Sequence, residues 1–455
     1  MRTLVEMVLG TSQLYMTSSK RIVLNAFGSY GDVHPYMAIA FELRRRGHNP
    51  VIATSELYRE KMLASNFEFI PVSPHIPPPE AQDAEMMEKV MHPRRGSEFL
   101  LHEMLFPFLR DAYRDLLDAV SGADLLLTHP ISFAGPLVAQ KTGIPWVSTV
   151  LAPASLFSAY DPPRPPFWQW MRHLYILGPR FMVWFLNRAK TIYKSETYDE
   201  FRRELGLPDR GHPLFEGSHS PDLVLALFSE LFAQPQPDWP PNTRATGFAF
   251  YDGRNEAAIS VELTEFLDNG PPPIIFTLGT SAVWVARDFY RESIAAARLL
   301  NRRAVLLIGD DRNKITEPLP PEIIAVNYAP FESLLPRGCA MIHHGGVGTT
   351  SQGLRAGIPT LIVPFAFDQP DNAAHAERMG TSRTLHRSQY KGERVARELD
   401  KLLNNPQYAL QAKTVGEQLR KENGAARASD LIEAFLNERL PAEKESNELT
   451  YASRN

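Results

Sequence analysis

At 455 residues the chain is longer than one ordinary core, so two domains, or one domain with large insertions, are expected. Its 44% hydrophobic and 22% charged residues exclude a disordered chain, and 48 basic against 52 acidic residues, a net charge of -4, leave no basic field for nucleic acid. The single cysteine, Cys339, excludes an internal disulfide framework and fits a reducing, cytoplasmic setting.

In chain order, residues 1–16 are only mildly apolar, carry Glu6 in their midst and end without a small-residue cleavage site. A disordered extension is expected there, not a signal peptide. No apolar run reaches the roughly 20 residues of a membrane-spanning helix. "RIVLNAF" reads as a strand, "GSYGDVHP" as a glycine-bearing loop, and "YMAIAFELRRRGH" as a helix stopping at Gly47. "PVIATS", "FEFIPV", "ADLLLTHP", "IPWVSTVLAP" and "PDLVLALFS" read as further strands, with a helix at 134–142. This alternation predicts a parallel sheet covered by helices over 17–235, interrupted by a helical, aromatic-rich insertion at about 161–200. The proline-rich stretch 236–243 is the expected linker.

The second half repeats the pattern over 244–424, with "PIIFTLGTS", "RAVLLIGD", "EIIAVNYAP", "CAMIHHGG" and "PTLIVPFAFD" as strands leading into loops. The expected class is α/β, two doubly wound Rossmann-like domains facing each other across a ligand cleft. A helix at 425–440 could close back on the first domain, and 441–455 reads as a polar tail.

The chemistry concentrates in "HHGGVGTT" and "FAFDQPDN". Glycines 345, 346 and 348 let backbone approach a ligand, and the helix that follows aims its amide groups and positive dipole end at the turn, which suits an anion. Thr349 and Thr350 can cap that helix and His344 can donate from a ring nitrogen. Asp368 and Gln369, at another carboxyl strand end, offer acceptors for neighbouring sugar hydroxyls. A nucleoside-diphosphate sugar has both parts. Taken singly, each motif is also explained by helix capping or turn formation.

"HHGGVGTT…GIPTLIVPFAFDQPDNA", with "GSYGDVHPYMAIAFELRRRGH" and "NYAPFESLLP", resembles the GT-B fold, nucleotide-sugar-dependent inverting glycosyltransferases, a family that includes sterol, antibiotic-aglycone and plant natural-product transferases. The likeness runs from about Lys20 to about Leu440. Within the family, "APASLFSAYDPP", "PQPDWPPNTRATGF" and "YDG" are most similar to the catalytic chain of rhamnolipid rhamnosyltransferase, while the paired His343 and His344 are more like the sterol and antibiotic enzymes. The resemblance implies that Tyr328 stacks on the nucleotide base while backbone at Ala329 reads its edge. It implies that Thr280, Ser281, His344, Gly346, Val347, Gly348 and Thr349 hold the diphosphate, and that Asp368 and Gln369 hold sugar hydroxyls. Gln352 stands where some members carry a ribose-binding glutamate.

For the base that takes the acceptor's proton, the loop offers Asp32 and His34. The resemblance favours Asp32, the position used by sterol and antibiotic members, and Asp32 can also cap the following helix. The expected reaction inverts the sugar carbon and needs neither cofactor nor metal, the nucleotide sugar being a co-substrate. Trp168, Trp170, Phe181 and Trp184, interleaved with arginines, suit a hydrophobic hydroxylated acceptor such as a lipid, sterol or aglycone, or peripheral contact with anionic lipid at the inner membrane face. Packing of helices onto the first domain explains the same stripe. A dehydrogenase is disfavoured, because "GSYGD" is not a GxGxxG turn. A non-catalytic nucleotide-sugar-binding subunit, or a GT-B epimerase or phosphorylase, is the competing reading.

Overall fold

The computed structural model describes residues 19–77, 84–164, 178–190, 195–251 and 259–439. The expected disordered extension and polar tail, and Trp168 and Trp170 of the proposed acceptor site, lie outside the described residues.

Two sheets form, and every strand pairing in them is parallel. The first contains β1 (Arg21–Asn25), β2 (Asn49–Thr54), β3 (Glu68–Pro71), β4 (Leu125–Thr128), β5 (Trp146–Val150), β6 (Val224–Ala226) and β7 (Thr243–Ala245), in the order β3-β2-β1-β4-β5-β6-β7. The second contains β8 (Ile274–Thr277), β9 (Ala304–Leu307), β10 (Ile323–Val326), β11 (Ala340–His343), β12 (Thr360–Ile362) and β13 (Ser382–Thr384), in the order β10-β9-β8-β11-β12-β13. Helices cover both faces, so central strands are buried on both sides: Ile22, Val23 and Leu24 of β1 are all at 0% exposure. The architecture is the two-domain α/β fold read from the sequence.

Each sheet reverses its strand order once, between β1 and β4 and between β8 and β11. At such a reversal the flanking loops diverge and leave a crevice at the carboxyl ends of the strands. The segments that leave β1, β4, β8 and β11 are those that carry Asp32, His129, Thr280 with Ser281, and His344.

Two expectations are corrected. The proline-rich stretch 236–243 is not the linker, because β7 follows it and pairs with β6 through Val224 opposite Thr243; the crossing comes after Ala245. A three-residue strand, "TRA", is too short to show a period. The second correction concerns "GSYGDVHP", most of which is helix, not loop. The helix Tyr30–Arg45 begins at its third residue, since Ser29 and Asp32 close a capping box, and it continues through Pro35, its sixth residue; that proline forgoes the amide bond to the Gly31 carbonyl.

The final helix, Gly424–Arg439, packs against the first domain, with Ala428, Ile432, Phe435 and Leu436 in the core that also holds Val33, Met37 and Ala40. Arg46 donates to Asp430 and Glu433 at 2.7 Å each. In the other direction, Met91 from the first half joins the core of the second sheet, and Arg378 pairs with Asp161 at 2.8 Å. Among the described residues no helix is long and apolar enough to cross a membrane.

Candidate active site

The helix Val347–Ala356 starts directly from the β11 turn with Gly346 as its N-cap. Thr349 and Thr350 therefore do not cap it, as the sequence suggested; they are its third and fourth residues, and the Thr350 hydroxyl donates to the Gly346 carbonyl at 2.9 Å. No side chain occupies the cap, so the amides of the first turn keep their donors for a ligand. His344 supports this turn from beneath. Its ring is 4% exposed, with Cε1 2.6 Å from where a Cβ on Gly279 would stand and Nε2 2.4 Å from where one on Gly346 would stand. Any larger residue at either position would push the ring out.

Burial holds the imidazole of His344 neutral, its pKa pushed down to about 4, and burial first and the neighbouring His344 second push that of His343 down to about 3. The His344 contribution is thus that of a neutral wedge, not of a cation facing a diphosphate. His343 is 0% exposed and its Nδ1 accepts the Gly345 amide at 3.1 Å, which shapes the turn. A pH dependence follows. Unfolded histidines titrate near 6.5, so below that value the unfolded state binds more protons than the native state. Stability is then complete above about 6.5 and is lost as pH falls toward about 4. The two histidines together are expected to lower it by about 4 kcal/mol at pH 5. Urea denaturation at pH 7 and pH 5, in wild type and in His343→Gln, measures this, and the variant should lose less.

The turn is joined to Asp368 by one amide. Asn372 Nδ2 donates to the Gly345 carbonyl at 2.9 Å and to Asp368 Oδ2 at 2.7 Å. Gly345 itself, at φ 93°, fits so closely that a Cβ would meet the Gln369 carbonyl at 3.0 Å. Asp368 is half-buried at the start of the helix Gln369–Arg378. Burial pushes its carboxyl up to about 7, the Asn372 hydrogen bond opposes this, and the charge of Asp32 adds to it. At neutral pH it can therefore both donate and accept, which suits a sugar hydroxyl. Gln369 is placed differently from the expectation. Its Oε1 already accepts the Phe365 and Ala366 amides at 2.8 and 3.0 Å, so the acceptor assigned to it braces the loop and only its NH2 group remains.

Tyr328 follows β10 with 60% of its surface exposed, beside the buried Ala329. Thr280 is exposed and Ser281 half-buried on the loop leaving β8. Gln352 is half-buried on the helix Val347–Ala356.

Asp32 lies across the cleft. Its Oδ2 accepts the Ser29 amide at 2.7 Å and the Ser29 hydroxyl at 3.0 Å. Gly28, at φ 124°, makes room, since a Cβ there would stand 2.4 Å from that oxygen. The two domains meet here: a Cβ on Gly348 would lie 3.7 Å from the Gly31 Cα. His34, two residues on, is turned about 200° around the helix from Asp32; its ring packs against Tyr30 and Tyr251, with centroids at 5.3 and 4.8 Å. Asp32 lies near enough to Asp368 for its charge to raise that carboxyl's pKa.

Of the acceptor residues read from the aromatic insertion, Phe181 and Trp184 lie on the helix Pro179–Lys190 with ring centroids 5.6 Å apart. Phe181 packs against Ala159 and Met182, whereas Trp184 is 61% exposed. A cavity of about 910 Å³, bounded by Met91, Phe289, Val363, Phe365, Pro370 and Arg387, adjoins the loop that carries Asp368. The sequence reading missed that cavity, Asn372 and His129.

Residues 292–432 match the family model described as the C-terminal domain of erythromycin biosynthesis protein CIII-like proteins. The chain is 30% identical over 434 residues to O-mycaminosyltylonolide 6-deoxyallosyltransferase of Streptomyces fradiae, covering 93% of this chain and 99% of that protein. It is 29% identical to a sterol 3-beta-glucosyltransferase of Leptosphaeria maculans over 90% of this chain, and spans only 28% of that longer protein. In fold it resembles the spinosyn rhamnosyltransferase SpnG complexed with thymidine diphosphate, with a TM-score of 0.64 at 17% identity over 90% of this chain and 99% of that one. The near full-length identity to the Streptomyces enzyme, on a fold of two facing doubly wound domains, places the chain in the GT-B family of nucleotide-sugar-dependent glycosyltransferases that act on natural-product and sterol acceptors.

Proposed function

We propose that this chain is an inverting glycosyltransferase that moves a sugar from a UDP- or dTDP-linked donor to a hydroxyl of a hydrophobic acceptor, with Asp32 as the acceptor base. The observation that carries the reading is the continuity of the site. Asn372 ties the β11 turn to Asp368, and Asp368 senses the charge of Asp32 across the cleft. Diphosphate, sugar and base positions therefore form one connected path.

In this reading the diphosphate rests on the amides of Val347, Gly348 and Thr349, flanked by Thr280 and Ser281. The base stacks on Tyr328 beside Ala329, and the sugar reaches Asp368. The acceptor oxygen gives its proton to Asp32 Oδ1 as it bonds to the anomeric carbon from the far face. The carbon–oxygen bond to the diphosphate breaks, and its electron pair leaves with the phosphate. The helix amino terminus and the loop amides meet that developing charge, so the reading calls for no metal. Two domains closing on the donor would keep water from the anomeric carbon.

The chemistry of the acceptor follows from the surroundings. The cavity beside the Asp368 loop mixes Met91, Phe289 and Phe365 with the charged Arg164, Arg287, Asp288 and Lys391, and it is Trp184 whose exposed aromatic face suits contact with apolar acceptors or a lipid surface. The test is the anomeric configuration of the product. UDP- and dTDP-sugars are incubated with alcohols of graded polarity and the linkage is assigned by NMR. Inverted products with a preference for apolar alcohols are expected; retained configuration, or preference for hydrophilic sugars, would contradict the reading.

A further inference from the structure

The cavity beside the Asp368 loop is lined by a guanidinium with which no carboxylate among the described residues pairs. Its lining brackets Asp368 in sequence, with Phe365 on one side and Pro370 on the other, and it draws Met91 and Arg164 from the first half of the chain. The apolar part, Met91, Phe289, Val363 and Phe365, consists of residues at most 3% exposed. Beside them stands Arg387, half-buried in the turn after β13. Its Nη2 donates to the Val285 carbonyl at 2.9 Å, and its guanidinium carbon lies 4.1 Å from the centroid of the Phe365 ring. The carbonyl and the ring hold the fork in place, and most of its five N–H groups remain to be used. The acids of the lining are engaged elsewhere or exposed: Glu88 Oε1 accepts from Arg287 at 2.9 Å, Asp288 pairs with Arg291 at 2.9 Å, and Glu377 is exposed. Burial first, and the like charge of Arg287 second, push the Arg387 pKa down to about 10. At neutral pH it is therefore a poorly solvated cation, and an incoming anion would recover the free energy of that burial.

We propose that this cavity is an acceptor subsite for an acid group: Arg387 takes the carboxylate of an amphiphilic acceptor whose hydrocarbon lies against Met91, Phe289 and Phe365 and whose hydroxyl reaches toward Asp368. The proposal rests on the glycosyltransferase reading of the same cleft and narrows its acceptor from any hydrophobic alcohol to an acidic one. A planar guanidinium offers two parallel N–H groups to a carboxylate, which fixes the orientation of the bound molecule as well as its charge. The other cations of the lining are less available, since Arg287 is held by Glu88 and Lys391 by Glu292 at 3.1 Å. The specific contact therefore falls on Arg387. At about 910 Å³ the cavity has the size of a pocket that holds a drug-sized molecule, so it suits an acceptor better than the acid group of a single sugar ring. A neutral acceptor seated there would cover the guanidinium and leave it without a counter-ion, which selects against such molecules.

The experiment offers a long-chain hydroxy acid, its methyl ester and the matching diol, with UDP- and dTDP-sugars, to wild type, Arg387→Gln and Arg387→Lys. Wild type should show a kcat/KM for the acid about 10-fold or more above the ester and the diol, the size expected of hydrogen bonds to a charged group in a covered site. Arg387→Gln should bring that ratio near one, through the KM for the acceptor and not through that for the nucleotide sugar. Arg387→Lys keeps the charge and should keep part of the preference. No preference in wild type, or a preference that survives Arg387→Gln, overturns the proposal. So does a Lys variant no better than Gln, which would make Arg387 a brace between Val285 and Phe365 only. A preference for uronic-acid donors over neutral ones that is lost in Arg387→Gln overturns it as well, by placing the acid on the sugar. Should Arg387→Gln fail to melt cooperatively, the drop in the acid-to-ester ratio from wild type to Lys decides. Binding is read without turnover from thermal melts with decanoate and methyl decanoate, where decanoate should stabilise wild type and neither compound the Gln variant. Stabilisation by decanoate through Arg387 in a protein that glycosylates none of the acceptors would remove the glycosyltransferase reading and keep the carboxylate site. Transfer to the ester and diol as fast as to the acid would keep that reading and remove the subsite.

Discussion

Asp32→Asn is expected to lower kcat by about 10³-fold while leaving donor binding intact, the loss typical of removing a general base. The substitution isolates chemistry from folding. The carboxylate does two jobs: one oxygen closes the capping box by accepting the Ser29 amide and hydroxyl, and the other faces the cleft. An asparagine carbonyl can still accept from Ser29, so the helix Tyr30–Arg45 keeps its start, whereas alanine would lose the cap at a further cost of about 1 kcal/mol. What asparagine cannot do is take a proton. Stability by thermal melt, nucleotide binding and turnover measured on the same preparation separate these effects. His34→Ala, by contrast, should leave kcat within a few-fold of wild type, because that ring packs against Tyr30 and Tyr251.

The second large effect is expected at Gly346, where substitution by alanine should weaken UDP or dTDP binding by 10-fold or more, an amount equal to about 1.4 kcal/mol. The added Cβ would stand 2.4 Å from His344 Nε2, and the ring has nowhere to retreat, with Gly279 against its other side. Either the helix N-terminus or the β8 loop must shift, and both belong to the proposed diphosphate position. The double variant Gly346→Ala/His344→Ala removes the collision and should recover part of the affinity. Isothermal titration with each nucleotide provides the numbers. Equal affinity in wild type and Gly346→Ala would mean that the nucleotide does not use this turn.

Much of this was legible in the sequence, for identifiable reasons. The central strands are continuous apolar runs because helices cover both faces, and runs such as "RIVLN" and "AMIH" show this without any periodicity. The glycine turn after β11 was readable because glycine is required wherever backbone crowds a histidine ring or a ligand. Short edge strands were not readable: "TRA" and "SRT" are strands because a neighbouring strand offers them partners, which is a tertiary fact. The helix start at Tyr30 was hidden by glycine and proline, both read as loop-formers, so that Asp32 was read as a cap of a helix after the loop, whereas it closes a capping box with Ser29 inside that stretch.

In the site, residue types were read more reliably than roles. Gln369 was identified, but its oxygen is spent on the Phe365 and Ala366 amides. His344 was identified as a donor, and burial between two glycines leaves it a neutral ring with one N–H rather than a cation. His129 was overlooked because it lies 97 positions beyond Asp32, and only the adjacency of β1 and β4 in the sheet brings them together. A signal did exist: "LLLTHP" puts a titratable side chain at the carboxyl end of a buried strand, where the reversal of a doubly wound sheet exposes its loops.

The most direct measurement is a crystal structure of the protein with UDP or dTDP bound. The account predicts the diphosphate within hydrogen-bond distance of the Val347, Gly348 and Thr349 amides, with its terminal phosphate directed toward Asp368. A nucleotide seated elsewhere, or a diphosphate separated from that helix end by side chains, would contradict it.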